Sequence, residues 1–219
     1  MKISRGNKVA GIISNHSGFI ESMSEEVLLT NAYNRLHIFS DKAINLKNEI
    51  IQTVDIDFDQ AEDVTLPSKI NDVFVYVSFE PHLDFNGYCK LLLTFSKKIS
   101  ISNCNQMIIC TQFYDGFNSR ILSRYNKLKK TENHISKLPF WAVHFFKTST
   151  IFNDKMVKKP EQIVLGFLEK LLHSAGVKLM ELYKPVAISK MTKAMAKAPQ
   201  KIKDGVHNYY YNILDQEDN

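Results

Sequence analysis

Apolar positions change their period several times along this chain. After a segment of mixed polarity, Ser22-Met23-Ser24-Glu25 has the form of a capping box, and Val27, Leu28, Ala32 and Leu36 follow at helical spacing. This predicts a helix over 24–36. From Gln52 the period falls to two: Val54, Ile56 and Phe58 alternate with Asp55, Asp57 and Asp59, the pattern of a strand with one wet face. Asp72 to Phe79 repeats it with Val73, Val75 and Val77 between Phe74 and Tyr76, so both faces of that strand are apolar enough to be covered.

Pro81 ends the strand, Asp84 to Gly87 reads as a turn, and Tyr88 to Phe95 reads as the return strand of a hairpin. Met107 to Tyr114 and Phe140 to Phe152 are further β-runs rich in aromatic and β-branched residues. With no crossover helices between them, these short strands predict an α+β protein whose core is an antiparallel β-sandwich or open barrel.

Beyond Pro160 the pattern turns helical through Ile163, Val164, Phe167, Leu168, Leu171 and Leu172. Val186 to Ala198 and Gly205 to Leu214 are two more helical candidates. The expected organisation is a β-rich core over 1–158, with an N-terminal helix, followed by a basic helical region over 159–219.

Charge divides the same chain. Residues 1–110 carry ten basic and thirteen acidic side chains, and residues 111–219 carry eighteen and ten, within a total formal charge of +5. From Arg120 to Lys203 there are eighteen cations against five acids. Charges of one sign packed this densely point to an anionic partner.

Two runs carry the excess. Arg120, Arg124, Lys127, Lys129 and Lys130 interleave with Tyr125, an arrangement suited to single-stranded nucleic acid. The second run, Lys184, Lys190, Lys193, Lys197, Lys201 and Lys203, opposes Ile188, Met191 and Met195 as in a basic amphipathic helix, suited to a lipid interface or a phosphate backbone. Lysine dominates over arginine, which favours diffuse attraction over base readout.

The expected partners are therefore RNA or nucleoprotein and an anionic membrane surface. Contact between the acidic and basic patches of separate copies would give a homo-oligomer.

Catalytic signatures are sparse. The seven histidines are dispersed, the three cysteines (Cys89, Cys104, Cys110) form no CxxC pair, and there is no GxSxG, no GxxxxGK[ST] and no strand-linked GxGxxG. No catalytic residue, metal ligand or cofactor is expected from these patterns. The absence of a long apolar stretch predicts a cytoplasmic protein, peripheral at membranes, without signal peptide or transmembrane segment.

In outline, a β-rich core with a basic helical tail resembles the matrix and cell-to-cell movement proteins of RNA viruses. That resemblance implies a non-enzymatic, self-associating adaptor. The alternative is a small metal-dependent phosphoesterase or nuclease built on Asp55, Asp57 and Asp59, because three carboxylates on one strand face could collect a divalent cation.

Overall fold

A computed structural model describes residues 6–67, 69–78, 84–112, 121–148, 151–152, 186–201 and 203–210. Within these, β1 (Lys8–Ser14) leads into α1 (Ser17–Leu29), then β2 (Tyr33–Ser40), β3 (Ile51–Asp55) and β4 (Asp72–Tyr76). Next come α2 (Phe85–Ile101), β5 (Gln106–Gln112), α3 (Ile121–Ile135) and β6 (Ala142–Thr148). Two short strands, β7 (Ile151–Phe152) and β8 (Val186–Ala187), pair with each other, and α4 (Ile188–Lys197) and β9 (Gly205–Tyr209) follow.

Seven of these strands form one sheet in the order β3-β2-β1-β4-β5-β6-β9, and every pairing in it is parallel. Ile12 of β1 lies between Ile38 of β2 and Phe74 of β4, which fixes the register at the centre. Parallel strands need crossovers on the sheet faces, so central strands are buried on both sides and read as continuous apolar runs. All of β4, β5 and β6 is buried.

Alternating side chains feed two separate cores. Ile13, Val75, Ile109 and Phe145 face α2 and α3, meeting Tyr88, Leu92, Phe95 and Leu128. On the opposite face, Ile12, Ile38, Phe74 and Phe146 meet Phe19 and Met23 of α1 and Met191 and Met195 of α4. Phe95, fully buried and edge-on to Phe58 at 5.3 Å, alone contributes about 2–3 kcal/mol of transfer free energy.

This architecture overturns the antiparallel sandwich or barrel. Tyr88 to Phe95, read as a hairpin strand, belongs to α2: the buried series Tyr88, Leu91, Leu92, Phe95, Ile99 keeps helical spacing, and the Asp84 carboxylate accepts from Gly87 N at 2.6 Å to cap it. The helix placed over 24–36 starts earlier, at Ser17, and ends at Leu29. Asn31, with φ of 51°, turns the chain so that Ala32 precedes β2 and Leu36 lies within it.

Strand β3 stops at Asp55, with Asp57 and Asp59 in the turn beyond it, where Asp59 N donates to Asp57 Oδ1. Gly205 to Tyr209 is the edge strand β9, whereas a helix was expected. The expected helix after Pro160 and the proposed boundary at 158/159 lie outside the described residues. Among the described residues no helix is long and apolar enough to cross a membrane.

Candidate functional site

In a parallel sheet the loops at the carboxyl ends of the strands form one working edge, and a crevice opens where the strand order reverses. Here the reversal lies between β1 and β4. Three hydrogen bonds tie the two strand ends together: Asn15 Nδ2 donates to the Ser78 carbonyl at 3.1 Å, while Ser78 N and Oγ donate to Asn15 Oδ1 at 2.8 and 3.0 Å. Asn15 is buried.

The next residue starts α1. His16 is its N-cap, and Phe19 N donates to His16 Nδ1 at 3.1 Å. Burial pushes the His16 imidazole down from its usual value, favouring the neutral ring that can accept at Nδ1. Its ring lies 5.9 Å from that of Tyr76 at the end of β4.

One strand away from this reversal, the ends of β2 and β3 open into a cleft of about 420 Å³. Ile38, Ile44 and Val54 give it apolar walls, and Ser40, Asp41, Lys42, Thr53 and Asp55 supply polar groups. Asp41 pairs with Lys42 at 3.0 Å on the surface. In sheets of this order, an acid at the end of the second strand, about 20 residues after the glycine turn, accepts from a ribose hydroxyl. Asp41 stands at that place relative to Gly18.

Across the sheet, the ends of β5 and β6 hold a buried network. Thr111 Oγ1 donates to Glu132 Oε1 at 2.8 Å, and Lys147 Nζ donates to Glu132 Oε2 at 2.5 Å. Gln112 N donates to Tyr88 Oη at 2.8 Å, tying α2 to the same strand end. Burial of this ion pair costs desolvation that the paired hydrogen bonds offset.

None of the described members of the cationic runs lines the cleft at the ends of β2 and β3. Arg120 and Lys184 lie outside the described residues. Arg124, Lys127, Lys129 and Lys130 sit on α3, where Arg124 covers the Phe85 ring at 5.5 Å, Lys127 donates to Asn86 Oδ1, and Lys129 lies 6.0 Å from the Tyr125 ring.

Lys190, Lys193 and Lys197 sit on α4, and Lys201 and Lys203 follow it toward β9. Because α3 packs on one face of the sheet and α4 on the other, the helical members of the two runs among the described residues belong to opposite faces of the sheet.

Asp55, Asp57 and Asp59 do not share a strand face. Asp57 and Asp59 lie beyond the end of β3, so the shared strand face on which the metal-dependent phosphoesterase was built is not formed, and among the described residues no group of three or more His, Cys, Asp or Glu could hold a metal ion. Asp41, Ser40, Asn15 and His16 were missed in the sequence because no glycine triplet flags the turn after β1. The available signal was an acid after an apolar run, Leu36 to Phe39, that reads as a covered strand.

No protein-family model and no curated relative matches the sequence. Solved structures share its fold. The enzyme WbmG from Bordetella bronchiseptica, in complex with NAD, is 11% identical with a TM-score of 0.58, over 94% of this chain and 74% of its own. The oxidoreductase ylbE from Lactococcus lactis is 8% identical with a TM-score of 0.58, over 94% and 95%. UDP-N-acetylglucosamine 4-epimerase from Bacillus cereus is 8% identical with a TM-score of 0.54, over 95% and 82%.

At these identities the likeness is one of fold. The fold is that of nucleotide-binding epimerases and oxidoreductases, and it replaces the β-sandwich and the comparison with viral matrix and movement proteins. The non-enzymatic adaptor loses its footing with them, since the resemblance behind it rested on a β-sandwich that the parallel sheet replaces.

Proposed function

We propose that this chain is an oxidoreductase-type enzyme acting on a nucleotide-linked sugar, with a nicotinamide dinucleotide lying along the carboxyl edge of its sheet. The observation that carries this reading is the Asp41 cleft, at the carboxyl ends of β2 and β3, one strand from the reversal of strand order in an all-parallel sheet. Structural neighbours in complex with NAD, one of them with UDP-glucose as well, supply the substrate class.

The donor set fits the adenosine end of such a cofactor. Asp41 and Asp55 offer carboxylate acceptors to ribose hydroxyls, and Ile38, Ile44 and Val54 offer an apolar wall to a base. For the diphosphate, the N-terminus of α1 presents backbone N–H groups and the positive end of a helix dipole.

The turn departs from the usual fingerprint. In Asn15-His16-Ser17-Gly18-Phe19-Ile20-Glu21 only Gly18 is a glycine. Glu21 is exposed and therefore does not fill the crevice, and the cap made by His16 is worth about 1 kcal/mol, well within what a bound nucleotide can displace.

When bound, the dinucleotide would supply a hydride acceptor. Asp41 and Asp55 would fix its ribose. The Thr111, Glu132 and Lys147 network would hold the ends of β5 and β6 rigid beneath the reacting sugar.

The reading is tested by incubating the protein with NAD⁺ and a panel of UDP-sugars and following the sugar by NMR. The expected result is an epimerised, dehydrated or oxidised sugar from at least one donor. Unchanged sugars throughout, with no nucleotide bound, would remove the proposal.

A further inference from the structure

The single glycine of the turn after β1 has an unusual neighbour. In the fingerprint of dinucleotide-binding turns, a missing side chain lets the backbone approach the diphosphate. At Gly18 the vacated space is used by the chain itself: a Cβ there would meet His16 Cε1 at 3.3 Å and His16 Nδ1 at 3.6 Å. The same imidazole accepts the Phe19 N–H, one of the first-turn donors that a phosphate would otherwise use. Two independent features, the hydrogen bond and the packing on Gly18, thus seat one ring where a diphosphate would come closest.

We infer that His16 is an internal competitor for the diphosphate subsite, so that in the resting protein a nucleotide is held by its nucleoside end and gains little from the groups beyond the first phosphate. The inference rests on the reading of the Asp41 cleft as a nucleotide site. Asn15 is locked to Ser78 and stays in place as the imidazole moves, and Ile188 Cδ1 of α4, which a Cβ at Gly18 would also meet at 3.6 Å, bounds the same space. Specificity follows from this arrangement: the wild-type protein discriminates poorly between AMP and NAD⁺, and a substrate or partner that draws His16 off the helix would raise affinity for the dinucleotide selectively.

The test compares AMP, ADP and NAD⁺ by calorimetric titration of the wild type, His16→Gly and His16→Ser. Serine keeps a helix-capping oxygen without the bulk of the ring, so it guards against a result caused only by a frayed α1.

For the wild type, the three nucleotides should bind within about threefold of one another. His16→Gly should tighten NAD⁺ and ADP about fivefold, the order of one N-cap contact, and His16→Ser about twofold because its oxygen still accepts the Phe19 N–H, while AMP shifts less than twofold in the glycine variant and stays unchanged in the serine variant. In the wild type, the Phe19 amide resonance should stay fixed with both AMP and NAD⁺, and in His16→Gly it should move with NAD⁺ and not with AMP.

Tenfold preference of the wild type for NAD⁺ over AMP, or weaker NAD⁺ binding by both variants, would overturn the inference and leave the nucleotide cleft standing. Failure of every nucleotide to bind every protein would overturn the cleft and the inference together.

Discussion

The two edges of the central sheet treat their polar groups in opposite ways. At the amino edge, where β1, β2, β4 and β5 begin, charges are consumed internally: Asp72 is fully buried and accepts from Lys8 Nζ at 3.0 Å and Tyr33 Oη at 2.9 Å. Gln106 Nε2 donates to the Pro199 carbonyl at 3.2 Å, fastening the end of α4 to the same edge. At the carboxyl edge, Asp41, Lys42 and Asp55 line an open cleft. Polar groups that satisfy one another hold a fold together, whereas polar groups lining a concave surface are available to a ligand. The contrast assigns stability to the amino-edge network and to the Asn15–Ser78 and Thr111–Glu132–Lys147 contacts of the carboxyl edge, and binding to the cleft at the ends of β2 and β3.

Substitutions should separate those roles. Glu132 belongs to the structural class despite its place near the carboxyl ends, because both it and Lys147 are buried. Glu132→Ala should therefore have the largest effect, about 4 kcal/mol of lost stability in urea unfolding, by leaving a buried ammonium unpaired.

Asp72→Ala should cost about 3 kcal/mol, somewhat less because Lys8 retains partial access to water. Nucleotide affinity of the folded fraction should stay unchanged. A loss of binding without loss of stability in Asp72→Ala would break the division between the edges.

Asp41→Ala should do the reverse. It should weaken nucleotide binding about tenfold and alter unfolding by no more than about 0.5 kcal/mol, as for other exposed substitutions.

The smallest expected effect is one of pH. His144, between Gln106 and Tyr209 and stacked on His207 at 4.9 Å, has its pKa pushed from 6.5 down to about 4, first by burial and then by the neighbouring His207. As pH falls through that window the unfolded chain takes up a proton that the folded chain refuses, so stability should decline from about 6.5 and level off below about 4. Melting temperatures of wild type and His144→Gln across this range would show it, with the variant flatter.

What the sequence made legible, and what it hid, follows from the same physics. β4, β5 and β6 were found as strands because their apolar runs are continuous, and the reading of Asp72 to Phe79 as covered on both faces was already the mark of a parallel sheet. The crossovers were lost.

In α2, the run Leu91-Leu92-Leu93 obscured the helical period that Phe95 and Ile99 continue. In α3, the buried face is carried by Leu128, Thr131, Glu132 and Ile135, so half of it is polar and looked like a charged surface segment. Without those helices the strands could be joined only as hairpins, and the antiparallel topology followed. Among the described residues, the cationic runs place Arg124, Lys127, Lys129 and Lys130 on α3 and Lys190, Lys193 and Lys197 on α4, helices backed by opposite faces of the sheet, which no reading of charge along the chain could reveal. Asp41 went unnoticed because the turn that normally announces it holds one glycine, and that glycine accommodates His16.

The most direct test of the nucleotide cleft is calorimetric titration of AMP into the wild type and into Asp41→Ala at matched stability. The account expects saturable binding to the wild type and at least a tenfold weaker constant for the variant. Equal binding by the two proteins, or none by either at millimolar nucleotide, would contradict it.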